Sequence, residues 1–79
     1  MDELERRVLG CFANVFPEIL GQDLPRASQA SIASWDSVRQ VTLLAALAEE
    51  FDFPLDYEAA EEIRSFALAV AFVREQVHD

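Results

Sequence analysis

The chain has 79 residues, enough for a single domain over residues 1–79 and too few for a second unit or a deep catalytic cleft with its own lid. Fifteen acidic residues oppose six basic ones, all arginine, for a formal charge of −9; this argues against nucleic acid and anionic membranes and favours proteins with basic patches. Apolar residues make up 52% of the chain and only 2 are glycine, which excludes a disordered segment, and the lone Cys11 excludes an intramolecular disulfide and a cysteine-built zinc site.

The opening Met1-Asp2-Glu3-Leu4-Glu5 is acidic where a secretory signal would be basic, and no apolar run approaches the roughly 20 residues that span a bilayer. A reducing, cytoplasmic location without membrane insertion is expected. Asp2 stands where it would cap a first helix, with Glu5 three positions on to complete a capping box. Leu4, Val8, Cys11, Phe12 and Val15 then recur at helical spacing. Pro17 falls where this helix should stop, and Phe16, Ile19 and Leu20 are expected to fold back onto the core. Cys11 lies on the apolar face and reads as a small core residue rather than a redox thiol.

From Gly21 to Ser34 small and polar residues follow without periodicity, which predicts a long connection of the kind compact domains keep for function. Trp35, at its end, is expected to pack on its own domain. A second helix is predicted over 37–51, with Leu43, Leu47 and Phe51 on one face, Leu44 beside them, and Val38, Val41 and Ala45 on a separate stripe. That stripe either meets a neighbouring helix or receives a partner protein. Pro54 and Asp56 mark a turn, residues 57–63 predict a short acidic helix, and Ser65 caps a last helix carrying Phe66, Ala69, Val70, Val73 and Val77, with Phe72 on its flank. The predicted fold is all-α, a small four-helix bundle with three longer helices and a short third one.

The segment Trp35-Asp36-Ser37-Val38 sits at the start of the longest apolar-periodic stretch. Ser37-Val38-Arg39-Gln40 fits an ordinary capping box. A serine at a helix start is also suited to carry a covalently attached phosphate, because the first turn offers unpaired N–H groups and the positive end of the macrodipole. The combination of Asp36-Ser37, Leu43 and Leu47, Glu49-Glu50-Phe51, the Phe-Pro-Leu turn at 53–55, Ala60 and Ile63, and a final apolar helix resembles the acyl carrier protein family over nearly the whole chain.

That resemblance implies that Ser37 is the attachment site of 4′-phosphopantetheine derived from coenzyme A, with Asp36 beside it for recognition or capping. It implies a phosphopantetheinyl transferase, an acyl- or aminoacyl-loading enzyme and a downstream synthase or transferase as partners of a monomeric, non-catalytic carrier. Its partner-binding face would comprise Val38, Arg39, Val41, Thr42 and Ala45. Trp-Asp-Ser is similar to the site of various stand-alone bacterial carriers, including D-alanyl, aminoacyl and specialised-metabolism types, and unlike the Gly-Gly-x-Ser of peptide-synthetase modules. Arg39 and Thr42 stand where fatty-acid carriers tend to place acidic residues, which argues against housekeeping fatty-acid synthesis. The bulky inner set of Phe12, Phe51, Phe66 and Phe72 suggests a short or polar cargo held outside the bundle, although Ala46, Ala60 and Ala69 leave room for the opposite outcome.

An enzyme is disfavoured, since the only histidine, His78, lies beside the C-terminus and no nucleophile–base pair is visible. The competing reading is a small acidic helical interaction module that carries no prosthetic group. It predicts an unmodified Ser37.

Overall fold

Three α-helices form where the apolar periodicity is strongest: α1 over Glu3–Val15, α2 over Ser37–Phe51 and α3 over Phe66–Val77. The computed structural model describes residues 2–77, without the side chains of Ala59 and Ala60, so His78 and the room expected at Ala60 lie outside the described residues. Among the described residues no helix is long and apolar enough to cross a membrane.

Each helix end has a visible cause. The Asp2 carboxylate accepts a hydrogen bond from the Glu5 amide at 2.8 Å while Glu5 Oε1 accepts one from the Asp2 amide at 3.3 Å, the reciprocal box expected for α1. Arg74 of α3 reaches the same Asp2 carboxylate at 2.6 Å and so ties the last helix to the first turn of α1. Helix α1 stops two residues before Pro17. Ser65 Oγ accepts from the Leu68 amide at 3.1 Å and caps α3. Helix α2 ends on Asp52, which takes a left-handed backbone at φ 55°, a conformation that is costly for most side chains and one of the few that Asp tolerates. There Arg7 lies over the Phe51 ring at 4.4 Å and donates to the Glu50 carbonyl at 2.6 Å, satisfying a last-turn acceptor.

The three helices bury one shared cluster. Val8, Phe12, Leu43, Leu44, Leu47, Ile63 and Val73 are almost wholly removed from water. At one end Phe12 meets Trp35 and Phe66 edge to face, with centroids 5.6 and 5.3 Å apart, and Phe16 lies 5.3 Å from Trp35. Edge-to-face rings add to the burial term and fix orientation. Cys11 is buried, as its spacing predicts, and its thiol donates to the Ala46 carbonyl at 3.7 Å. Burial raises its pKa to about 11 and keeps it protonated.

Two expectations need correction. The short third helix expected over residues 57–63 is a 3₁₀ helix over Ala59–Glu62 rather than an α-helix, so the fold is all-α with three α-helices among the described residues. Seven residues are too few to repay α-helix nucleation, and Glu58, Glu61 and Glu62 repel one another with Ile63 alone buried among the described side chains of this segment. Leu20 does not fold back, being 63% exposed, while Phe16 is fully buried and Ile19 partly so.

The connection from α1 to α2 is more ordered than its lack of periodicity suggests. A 3₁₀ turn over Leu24–Arg26, begun by Pro25, buries Leu24, and Ala27, Ile32 and Trp35 follow it into the core. Ser28 pairs with Ser65 in an antiparallel bridge, flanked by Phe66 N–H to the Ala27 carbonyl at 2.9 Å and Gln29 N–H to the Arg64 carbonyl at 2.9 Å. This stitch holds the connection against the entry to α3.

Candidate functional site

Helix α2 begins at Ser37 because Asp36 serves as its cap. Asp36 is extended, at φ −99° and ψ −172°, and its carboxylate accepts from the Arg39 amide at 2.9 Å. Its carbonyl takes the first helical bond, from the Gln40 amide at 2.9 Å. The capping task expected of Ser37 on the ordinary reading therefore falls to Asp36, and Gln40 does not reach back to complete a box. Ser37 is left exposed at the first helical position, and among the described residues no hydrogen bond engages its hydroxyl. The amides of Ser37 and Val38 likewise have no partner there and sit at the positive end of the α2 dipole.

Ser37 stands on the rim of an open groove of about 510 Å³. One side is α2, with Ser37 and Val41; the other is formed by Tyr57, Glu61 and Arg64; Trp35 and Gln40 line it between them. Trp35 is only 6% exposed, since its ring belongs to the aromatic cluster. Its indole N–H donates to Gln40 Oε1 at 2.6 Å. Gln40 Oε1 also accepts from Gln29 Nε2 at 3.2 Å, and Gln40 Nε2 donates to the Ile63 carbonyl at 3.0 Å.

The approach to Ser37 is fixed by a second set of polar contacts. Glu18, just past the end of α1, accepts from Ser34 Oγ at 2.7 Å and from Arg39 Nη1 at 3.0 Å. The Ser34 hydroxyl above all, with backbone hydrogen bonding and Arg39, holds the Glu18 carboxyl below the usual range. Arg39 also donates to the Val15 carbonyl at 2.7 Å, satisfying a last-turn acceptor of α1, and lies 5.3 Å from the Phe16 ring centroid. Of the face expected to meet partners, Val38 is 70% exposed and Val41 44% exposed, with Thr42 and Ala45 exposed beside them. Thr42 Oγ1 donates to the Val38 carbonyl at 2.9 Å. Arg39 sits apart from these four, turned toward α1.

The structure thus brings Asp36, Ser37, Val38, Val41, Thr42 and Ala45 onto one exposed surface of α2. Gln29, Glu61 and Arg64 around the groove were not singled out from sequence, and Gln40 only as the far end of a capping box. Gln29 lies in an aperiodic loop, Gln40 on a polar position of a helix, and nothing short of the tertiary contacts aligns them. No protein-family model matches the chain.

Proposed function

We propose that the protein is a carrier of the acyl-carrier type, with Ser37 as the acceptor of a 4′-phosphopantetheine arm. The observation that carries this reading is an exposed serine hydroxyl, released from capping by Asp36, at the first position of α2 and on the rim of a groove. A three-helix fold with a 3₁₀ turn between α2 and α3 supports an acyl-carrier-like bundle whose short third element is that turn.

The residues fit the group. A phosphodiester on Ser37 would lie at the dipole's positive end beside the Ser37 and Val38 amides, where a negative charge gains about 0.3–1 kcal/mol. Arg64, on the far side of the groove, adds a cation, and Gln29 and Tyr57 add polar groups for the amides of an extended arm. When bound, the arm supplies a thiol that holds cargo as a thioester. The chain's own part is to present the accepting oxygen, keep its helix start rigid and offer a recognisable surface. Asp36 does the second by capping and is exposed for recognition by the transferase.

The exposed apolar residues Val38, Val41 and Ala45, with Thr42, are the surface we assign to the transferase, a loading enzyme for acyl or aminoacyl units and a downstream synthase. Arg39 contributes beneath this face by anchoring α2 to α1. On this reading the protein acts as a monomer in the cytoplasm, and no catalytic residue is required of it. Incubation with coenzyme A, Mg²⁺ and a broad-specificity phosphopantetheinyl transferase, followed by intact-mass measurement, tests the proposal. One phosphopantetheine adduct per chain is expected. An unmodified chain, with the transferase proven active on another carrier, leaves the interaction module.

A further inference from the structure

Gln40 lines the groove beside Ser37 together with Trp35, whose ring belongs to the aromatic core. Its amide joins three segments: the indole N–H of Trp35, Gln29 Nε2 and the Ile63 carbonyl all bond to it, at 2.6, 3.2 and 3.0 Å. Two of these segments face the interior. Trp35 packs against Phe12 and Phe16, and the Ile63 side chain is fully buried. An apolar chain entering the core from the groove by this route would have to part Gln40 from Trp35 or from Ile63. A part-buried indole N–H or a part-buried carbonyl would then lose its partner, and an alkyl chain lying against it offers no replacement. The rings behind Gln40 are close-packed, so the chain would meet overpacking as well.

We infer that Gln40 is a specificity-determining residue that closes the bundle interior to apolar cargo, so that the carrier handles short or polar units kept in the groove or in solvent. This rests on the carrier reading of Ser37. The groove offers a polar unit hydrogen bonds and both signs of charge from Gln29, Tyr57, Glu61 and Arg64, beside apolar surface from Val41, Trp35 and the Tyr57 ring. Gln40 makes no hydrogen bond to the Ser37 hydroxyl; it acts by holding Trp35 and the segment before α3 together.

The test loads acetyl- and octanoyl-phosphopantetheine onto Ser37 from the corresponding acyl-coenzyme A with a permissive transferase, and confirms each product by intact mass. Wild type, Gln40→Ala and Gln40→Leu are compared by the rate at which hydroxylamine cleaves the thioester and by Tm. In wild type the two thioesters should be cleaved at similar rates and the Tm should not rise with chain length. In Gln40→Ala the octanoyl form should become protected, on the order of tenfold, since withdrawing a few methylenes from water shifts an open–closed equilibrium by at least that much, and its Tm should rise above that of the acetyl form. Gln40→Leu keeps the side-chain volume, removes the hydrogen bonds and serves if the alanine variant does not fold. Protection of the octanoyl thioester in wild type would overturn the inference, as would equal exposure of both thioesters in a folded Gln40 variant. Failure of wild type to accept either group strikes the carrier reading instead, and intact mass separates that case at once.

Discussion

The two connections between helices have similar polarity in sequence and opposite construction. The first, from Phe16 to Asp36, sends Phe16, Leu24, Ala27, Ile32 and Trp35 into the core. The second, from Asp52 to Ser65, buries Ile63 fully and Phe53 in part, while Leu55 and Tyr57 stand in solvent at 47% and 59% exposure. Ser37 lies where the first ends, and the far side of its groove comes from the second. Ser37 is therefore held from behind by packing, whereas the opposing wall is attached, among the described side chains, chiefly through Ile63, the bond to Gln40 and the stitch at Ser28 and Ser65. Local opening costs least where few apolar side chains are buried, so the groove should widen from the second connection and never from the first.

The sharpest way to break this contrast is to remove a core residue from the first connection. Trp35→Ala should destabilise the fold by about 3–5 kcal/mol, the usual cost of deleting a buried aromatic residue, with the indole's bond to Gln40 lost as well. Chemical denaturation of the variant measures it, and a loss below about 1 kcal/mol, within the range of surface changes, would mean that the first connection does not hold the site. Asp36→Ala comes next, with an expected loss of about 1 kcal/mol from the cap and fraying of the first turn that carries Ser37. Amide exchange at Arg39 should quicken in that variant more than exchange in the middle of α2.

Acid should loosen the first connection through Glu18. Its folded pKa is depressed, so its contribution is present above the unfolded value and is lost as pH falls through the lower folded value. Unfolding followed from neutral pH down into the acid range should show a steeper loss for wild type than for Glu18→Gln, whose amide keeps a partner for Ser34 without titrating. Identical slopes would remove Glu18 from the anchoring set. The smallest effect belongs to the second connection. Tyr57→Ser should change stability by no more than about 0.5 kcal/mol, as expected for an exposed side chain, and any effect it has should appear in transfer to Ser37.

Much of this was legible where local chemistry decides structure. The capping box at Asp2 and Glu5, the cap at Ser65 and the apolar faces of α1, α2 and α3 follow from spacing alone, because a helix imposes its own period on the residues it buries. Leu24, Ala27 and Ile32 follow no period, and the segment that buries them is pinned by the Ser28–Ser65 bridge, which joins residues 37 apart in sequence. Arg39 shows the same limit. As a charge beside Ser37 it reads as a signal to partners, yet the end of α1 offers it a carbonyl, a carboxylate and a ring, and it takes all three. Asp36 and Ser37 were legible as a pair, while the division of labour between them needed the backbone angles at Asp36.

What most directly tests Ser37 as the accepting oxygen is a paired mass measurement on wild type and Ser37→Ala after exposure to coenzyme A and an active phosphopantetheinyl transferase. Removal of the hydroxyl should leave the fold intact, since Asp36 supplies the cap, and circular dichroism confirms that before the reaction. A single phosphopantetheine adduct mapped to the peptide containing Ser37 in wild type, and none on the variant, is the predicted result. An adduct that persists on Ser37→Ala, or a folded wild type that accepts none, would contradict it.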